Sequence, residues 1–175
     1  MASNKVHIII TGGTIDSYYN GAKDTVVPLK HSIIPEYFES LGLSNKVAFT
    51  ELCMKDSRHI SIADLRKLAN EIENSRHSKI IITHGTYTMP DTARYLSANL
   101  KSGKIIILTG SMIPIQGFSP SDGPFNLGFS YAMAQKLPSG VHICMNGYVF
   151  KPSEVAKDME KGRFYSIFGE NRAKF

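Results

Sequence analysis

Two loops in the first half of the chain set a threonine hydroxyl beside glycines, each directly after a run of isoleucines. They are Ile10-Thr11-Gly12-Gly13-Thr14-Ile15 and Thr83-His84-Gly85-Thr86-Tyr87-Thr88-Met89-Pro90-Asp91-Thr92-Ala93. A glycine-softened loop leaving a parallel strand is where α/β sheets present their chemistry, and here both loops carry the same potential nucleophile. A threonine hydroxyl attacks poorly at neutral pH until a neighbour removes its proton. Tyr19 or a desolvated lysine, with Lys157 a candidate, can take it. Other chemistries find no support in the spacing. Gly12-Gly13-Thr14 lacks the G-x-G-x-x-G pattern of a dinucleotide turn, no Gly-Lys-Ser/Thr follows, and no G-x-S-x-G elbow occurs. The six histidines show no paired ligand spacing, so neither a metal nor any other cofactor is expected.

Loops so far apart in sequence need a scaffold that brings them together. Apolar runs at residues 6–11, 47–52, 79–83, 104–109 and 141–145 are short, rich in isoleucine and valine, and not alternating, as in strands covered on both faces. Helices fit between them. Ser61 can cap one whose Leu65, Leu68, Ala69 and Ile72 fall at helical spacing, with Asp64 in the capping-box position. Thr88 can cap another that tolerates Pro90 in its first turn, and residues 32–41 and 124–135 complete the set. The alternation predicts a flavodoxin-like, doubly wound α/β domain, its mostly parallel sheet covered by helices on both faces. Residues 16–28 break the rhythm and read as a β-hairpin or lid after the first strand. Three strands end in isoleucine runs followed by Thr-Gly, Thr-His-Gly or Leu-Thr-Gly, so Thr14, Ser57, Thr86 and Ser111 are expected around one crevice at the carboxyl edge of the sheet.

Composition narrows the partners. At 175 residues, 42% hydrophobic and 20% charged, the chain fits one globular domain, and no apolar stretch approaches the roughly 20 residues of a membrane helix. The net charge of +5 comes from lysines scattered singly rather than clustered with aromatics, which argues against nucleic acid. Asp122, Gly123 and Pro124 read as a tight turn opening a helix rather than as reactive groups. Cys53 and Cys144 lie in strand-like contexts as reduced thiols, and residues 1–5 lead straight into the first strand with no signal-like segment, so a cytoplasmic location is expected.

Taken together, Thr11-Gly12-Gly13-Thr14-Ile15, Asp56-Ser57, His84-Gly85-Thr86-x-Thr88-Met89-x-x-Thr92-Ala93, Ser121-Asp122-Gly123-Pro124-Phe125-Asn126-Leu127 and Lys157 beyond Met145-Asn146 form a pattern. In these motifs the chain resembles the bacterial-type L-asparaginase and glutaminase family, in its amino-terminal domain, to about Phe164. The resemblance implies an amidohydrolase that releases ammonia from L-asparagine or a related small amide acid through an acyl-enzyme on Thr14. It implies that Tyr19, with Tyr18 competing for the role, moves the proton, and that Thr86 and Lys157 form a supporting pair. Ser57 would grip a carboxylate, Gly85 and Tyr87 would lie against the substrate, and backbone N–H groups near Gly13 and Thr86 would meet the oxyanion. It further implies that residues 1–175 correspond to the amino-terminal domain alone, the carboxy-terminal domain of larger members being absent. A homo-oligomer, dimer or tetramer, would then complete the site.

Two positions depart from the family pattern. Tyr87 stands where the family has the aspartate that binds the substrate's α-ammonium, and a phenol is no substitute for that anion. Ser57-Arg58-His59-Ile60 replaces a stretch that usually includes an aspartate, and Arg58 could pair bidentately with a carboxylate. The expected ligand is therefore an amide acid whose amino group is absent, acylated or not recognised. The alternative is a catalytically weak or inactive module that keeps the fold and senses a small acid.

Overall fold

The computed structural model describes residues 3–44 and 47–169. Strand β1 (Ser3–Gly12) is followed by the short strands β2 (Ser17–Asn20) and β3 (Thr25–Pro28), then helix α1 (Ile34–Ser40) and strand β4 (Ala48–Lys55). Helix α2 (Ile62–Asn74), β5 (His77–Thr83), α3 (Met89–Asn99), β6 (Ile105–Thr109), α4 (Gly123–Met133) and β7 (Gly140–Met145) alternate after it. The short strands β8 (Tyr148–Phe150), β9 (Val155–Asp158) and β10 (Arg163–Ser166) close the described chain.

The central sheet runs β4-β1-β5-β6-β7-β8, parallel except for β8, which pairs antiparallel with β7. Counted among the parallel strands alone this is the order 2-1-3-4-5, the flavodoxin arrangement, and the order reverses between β1 and β5. Register aligns the strand ends: Ile10 lies opposite Thr83, and Thr83 opposite Thr109, so the loops after these strands emerge along one edge.

Both faces of the sheet are covered, which explains why its strands are continuous apolar runs. On one face Ile9, Ile80, Ile82, Ile106, Leu108 and Ile143 pack with Leu68 and Ile72 of α2 and Met89, Ala93 and Leu96 of α3. On the other, Val6, Ile8, Ile10, Ile81 and Ile107 pack with Ile34 and Phe38 of α1 and Leu127 of α4. Helix α2 starts with the expected capping box, Ser61 and Asp64 exchanging side-chain and backbone bonds. Helix α3 does not use Thr88 in that way, because the Thr88 hydroxyl is drawn to the Ser57 carbonyl 3.0 Å away. The hairpin expected over 16–28 is present as the antiparallel pair β2–β3. Strands β8 to β10 were not expected; each is only three or four residues long, too short for a periodicity to register. Among the described residues no helix is long and apolar enough to cross a membrane.

Four histidines are buried in this framework, and burial holds His7, His77, His84 and His142 below the ordinary imidazole value. The unfolded chain takes up their protons near pH ~6.5 whereas the folded chain refuses them, so stability falls as pH drops through and below that value. The urea midpoint should therefore decrease between pH 7.5 and 5.5, by at most about 1.4 kcal/mol for each histidine kept neutral. His84→Gln should reduce that dependence, as denaturation curves at the two pH values will show.

Candidate functional site

The loops after β1, β4 and β5 meet through backbone rather than side chains. Gly13 lies so close to the next loop that a Cβ there would stand 2.4 Å from the Gly85 amide nitrogen, and its φ of +85° also favours glycine. A Cβ on Gly85 would in turn reach 2.6 Å from the Ser57 Cβ. The Gly13 N–H donates to the Lys55 carbonyl at 2.9 Å, which ties the first loop to the end of β4. Three loops are thus nested at the point where the strand order reverses; Ser57 is part of that junction, and Thr14 and Thr86 each follow one of its glycines.

Each hydroxyl has a distinct setting. Thr14 is partly exposed at the start of a 3-10 turn, Thr14–Asp16. Thr86 is 6% exposed, and the Lys157 ammonium of β9 donates to its Oγ1 at 2.7 Å. Burial holds Lys157 below the ordinary lysine value, which brings its neutral, proton-accepting form closer to neutral pH. Ser57 is buried, its carbonyl accepting from Thr88 Oγ1. His84 lies beneath, its Nδ1–H donating to the Gly85 carbonyl at 2.8 Å and its Nε2 accepting from Thr92 Oγ1 at 3.0 Å. Burial keeps that imidazole neutral, so it serves as a support for the Gly85–Thr86 peptide.

The hairpin β2–β3 is fastened at its base. The Leu29 N–H donates to the Asp16 carbonyl, while the Asp16 carboxylate accepts from the Ser32 hydroxyl at 2.6 Å and the Ile33 N–H at 3.0 Å. At the tip, the Tyr19 hydroxyl donates to the Asp24 carboxylate, and that bond raises the phenol's pKa. Tyr19 is 51% exposed, and the hairpin itself holds its phenol. Tyr18 makes a longer contact, accepting from the Asn20 amide at 3.5 Å.

The positions that depart from the family pattern touch one another. The Arg58 guanidinium donates to both carboxylate oxygens of Asp56, at 3.0 and 2.8 Å, and lies 5.8 Å from the centre of the Tyr87 ring. The fork expected to receive a carboxylate from outside is therefore occupied from within. Ser111, expected at the crevice, is fully buried beside Gly110, whose own Cβ position would come within 2.3 Å of the His84 carbonyl. Asp122 behaves as a turn residue: its carboxylate accepts from the Met112 and Ile113 N–H groups and from Asn126 Nδ2, fixing the loop after β6. Two residues that sequence reasoning passed over, Asp24 and His84, act on Tyr19 and on the Thr86 loop. The only signal for Asp24 was its place five residues after Tyr19 in a turn. Among the described residues no three His, Cys, Asp or Glu side chains gather as a metal site would require.

Comparison with known proteins identifies relatives of the chain. Residues 5–165 match the family described as Asparaginase, N-terminal. A glutaminase-asparaginase of Acinetobacter glutaminasificans is 30% identical over 168 residues, covering 88% of this chain and 50% of the relative. L-asparaginase 2 of Escherichia coli K12 is 29% identical over 170 residues, covering 90% of this chain and 47% of the relative. A probable cytoplasmic L-asparaginase from Campylobacter jejuni has a similar fold, with a TM-score of 0.77 at 24% identity over 94% of this chain and 53% of that one. The chain spans about half the length of these relatives.

Because Asp24 raises the Tyr19 pKa, Asp24→Asn should bring the phenol's titration down toward the ordinary tyrosine value, with Tyr18→Phe as background to simplify the signal. An ultraviolet pH titration reads the shift directly.

Proposed function

We propose that this chain, which belongs to the asparaginase family through its amino-terminal domain, hydrolyses the side-chain amide of L-asparagine or a related small amide acid, releasing ammonia. The observation that carries this reading is the 2.7 Å bond from Lys157 to Thr86, held one glycine contact away from the loop of Thr14. A half-buried ammonium bonded to a hydroxyl rather than to a carboxylate has little structural purpose at a sheet edge, since withdrawing it even partly from water carries a cost that a neutral pair would not.

In this mechanism Thr14 Oγ attacks the amide carbon. Its proton passes to Tyr19 as the phenol hands its own proton to the departing nitrogen, which leaves as ammonia. The hairpin must first carry Tyr19 away from Asp24. An ester on Thr14 results, and water attacks it to give the acid and restore the threonine. The oxyanion of each tetrahedral state would be met by backbone N–H donors, for which Thr86 is the better candidate because the Gly13 amide is engaged by Lys55. Thr86, relieved of its proton by Lys157, orients the water. Gly85 and Ser57 supply the close floor of the site.

The same reading includes a cytoplasmic setting and a homo-oligomer. Free Cys53 and Cys144 suit a reducing compartment, and the exposed Phe125, Tyr148 and Phe168 suit association. The second reading, a small-acid-binding module without turnover, draws on the engagement of Tyr19 by Asp24.

Ammonia release from asparagine, glutamine, N-acetylasparagine and succinamate tests the proposal. At least one amide should be cleaved, and Thr14→Ala should abolish cleavage while leaving ligand binding intact. No ammonia from any of them would favour the binding module. Lys157 must be neutral to accept a proton, so kcat/KM should rise with pH through a value below the ordinary ~10.5 of lysine. Lys157→Met should remove that limb and lower the rate by about 10²–10⁴-fold, as a pH-rate profile will show.

A further inference from the structure

We infer that the ligand of this site is a small amide that carries a carboxylate and no ammonium group, a succinamate-like acid rather than a free amino acid amide. This rests on the site proposed above and narrows what it takes. It follows from an inventory of charge along the edge of the sheet where the loops emerge.

Among the described residues there, six carboxylates are already bound within the chain. Asp16 accepts from Ser32 and Ile33, and Asp24 from Tyr19. Asp56 is taken bidentately by Arg58, and Asp91 accepts from Arg94 at 3.0 Å. Asp122 receives the amides of Met112 and Ile113, and Asp158 those of Glu160 and Lys161. The cations are less fully matched. Lys157 donates to the Thr86 hydroxyl rather than to a carboxylate, and Asp56 uses Nε and only one terminal nitrogen of Arg58. Helix α3 begins at Met89, directly after the Thr86–Thr88 stretch, and adds the positive end of its dipole.

An entering carboxylate therefore meets the hydroxyl of Thr86, a helix amino end and, whenever Lys157 holds its proton, an ammonium. An entering ammonium meets Lys157 as a like charge and finds these six carboxylates already engaged by other donors. The aromatic face that could have received it is engaged too, since the Arg58 guanidinium already stands over the Tyr87 ring. Tyr87 is 54% exposed, so its side chain can be exchanged without disturbing the core.

Calorimetric titration of the wild-type protein with succinate and with L-aspartate, which differ only in the amino group, reads the preference without requiring turnover. Succinate should bind at least tenfold more tightly. Tyr87→Asp, which sets a new carboxylate on the residue after Thr86, should bring the ratio toward one, and Tyr87→Phe should keep it. Equal or tighter binding of aspartate overturns the inference, as does the failure of succinate to bind or a ratio unmoved by Tyr87→Asp in a folded variant. Preferential succinate binding by a protein that releases no ammonia would sink the hydrolase reading and leave this one standing. Ammonia release with asparagine favoured over succinamate would do the reverse.

Discussion

The contact between Gly13 and Gly85, backed by Ser57, is the constraint on which the rest of the site depends. Three loops that leave three adjacent strands can approach this closely only where backbone meets backbone. Any side chain at the junction would wedge them apart by more than an ångström. The parallel sheet supplies the occasion, because its order reverses between β1 and β5 and the two loops diverge toward opposite faces. The glycines close the gap at their roots. Thr14 and Thr86 each follow a contact glycine by one residue, so their separation is set by main chain and not by rotamer choice.

Around that junction the chain places its charged groups in two different conditions. Carboxylates are spent on holding loops in shape: Asp16 on the start of α1, Asp56 on Arg58, Asp122 on the loop after β6. Lys157 is instead half-buried against a hydroxyl, and burial moves its titration in the direction a proton acceptor requires. The buried His84 completes this division. It is kept neutral and used for two hydrogen bonds, which makes it a brace for the Thr86 loop and not a competitor for protons.

Much of the fold was legible because the relevant signals are local. Uninterrupted isoleucine runs announce strands covered on both faces, Ser61 with Asp64 announces a helix start, and three similar strand endings announce one shared edge. Gly13, Ser57, Thr86 and Lys157 were legible for the further reason that the family motifs surround them. What could not be read depended on contacts across sequence. Arg58 looked free to receive a ligand until its short reach back to Asp56 was seen, a pairing of neighbours at i and i−2 that depends on the 3-10 turn at Ser57–His59. Thr88 looked like a cap, and a carbonyl from the loop after β4 claimed its hydroxyl. Ser111 shared a strand-end motif with the others yet is fully buried, next to a Gly110 whose carbonyl accepts from Asn126 of α4.

Asp16 carries a further consequence. Its carbonyl receives the returning strand of the hairpin and its carboxylate receives the first residues leading into α1, so the whole excursion from Ser17 to Leu29 starts and finishes on one residue. A loop whose two ends are pinned at a common point has had its cost of closure met before any ligand arrives. The tip is thereby insulated from Thr14, two positions upstream of Asp16. Residues can be gained, lost or exchanged around Gly21 and Lys23 with the geometry of Thr14 unchanged, which makes the hairpin the part of this domain most open to evolutionary tinkering with what the site admits.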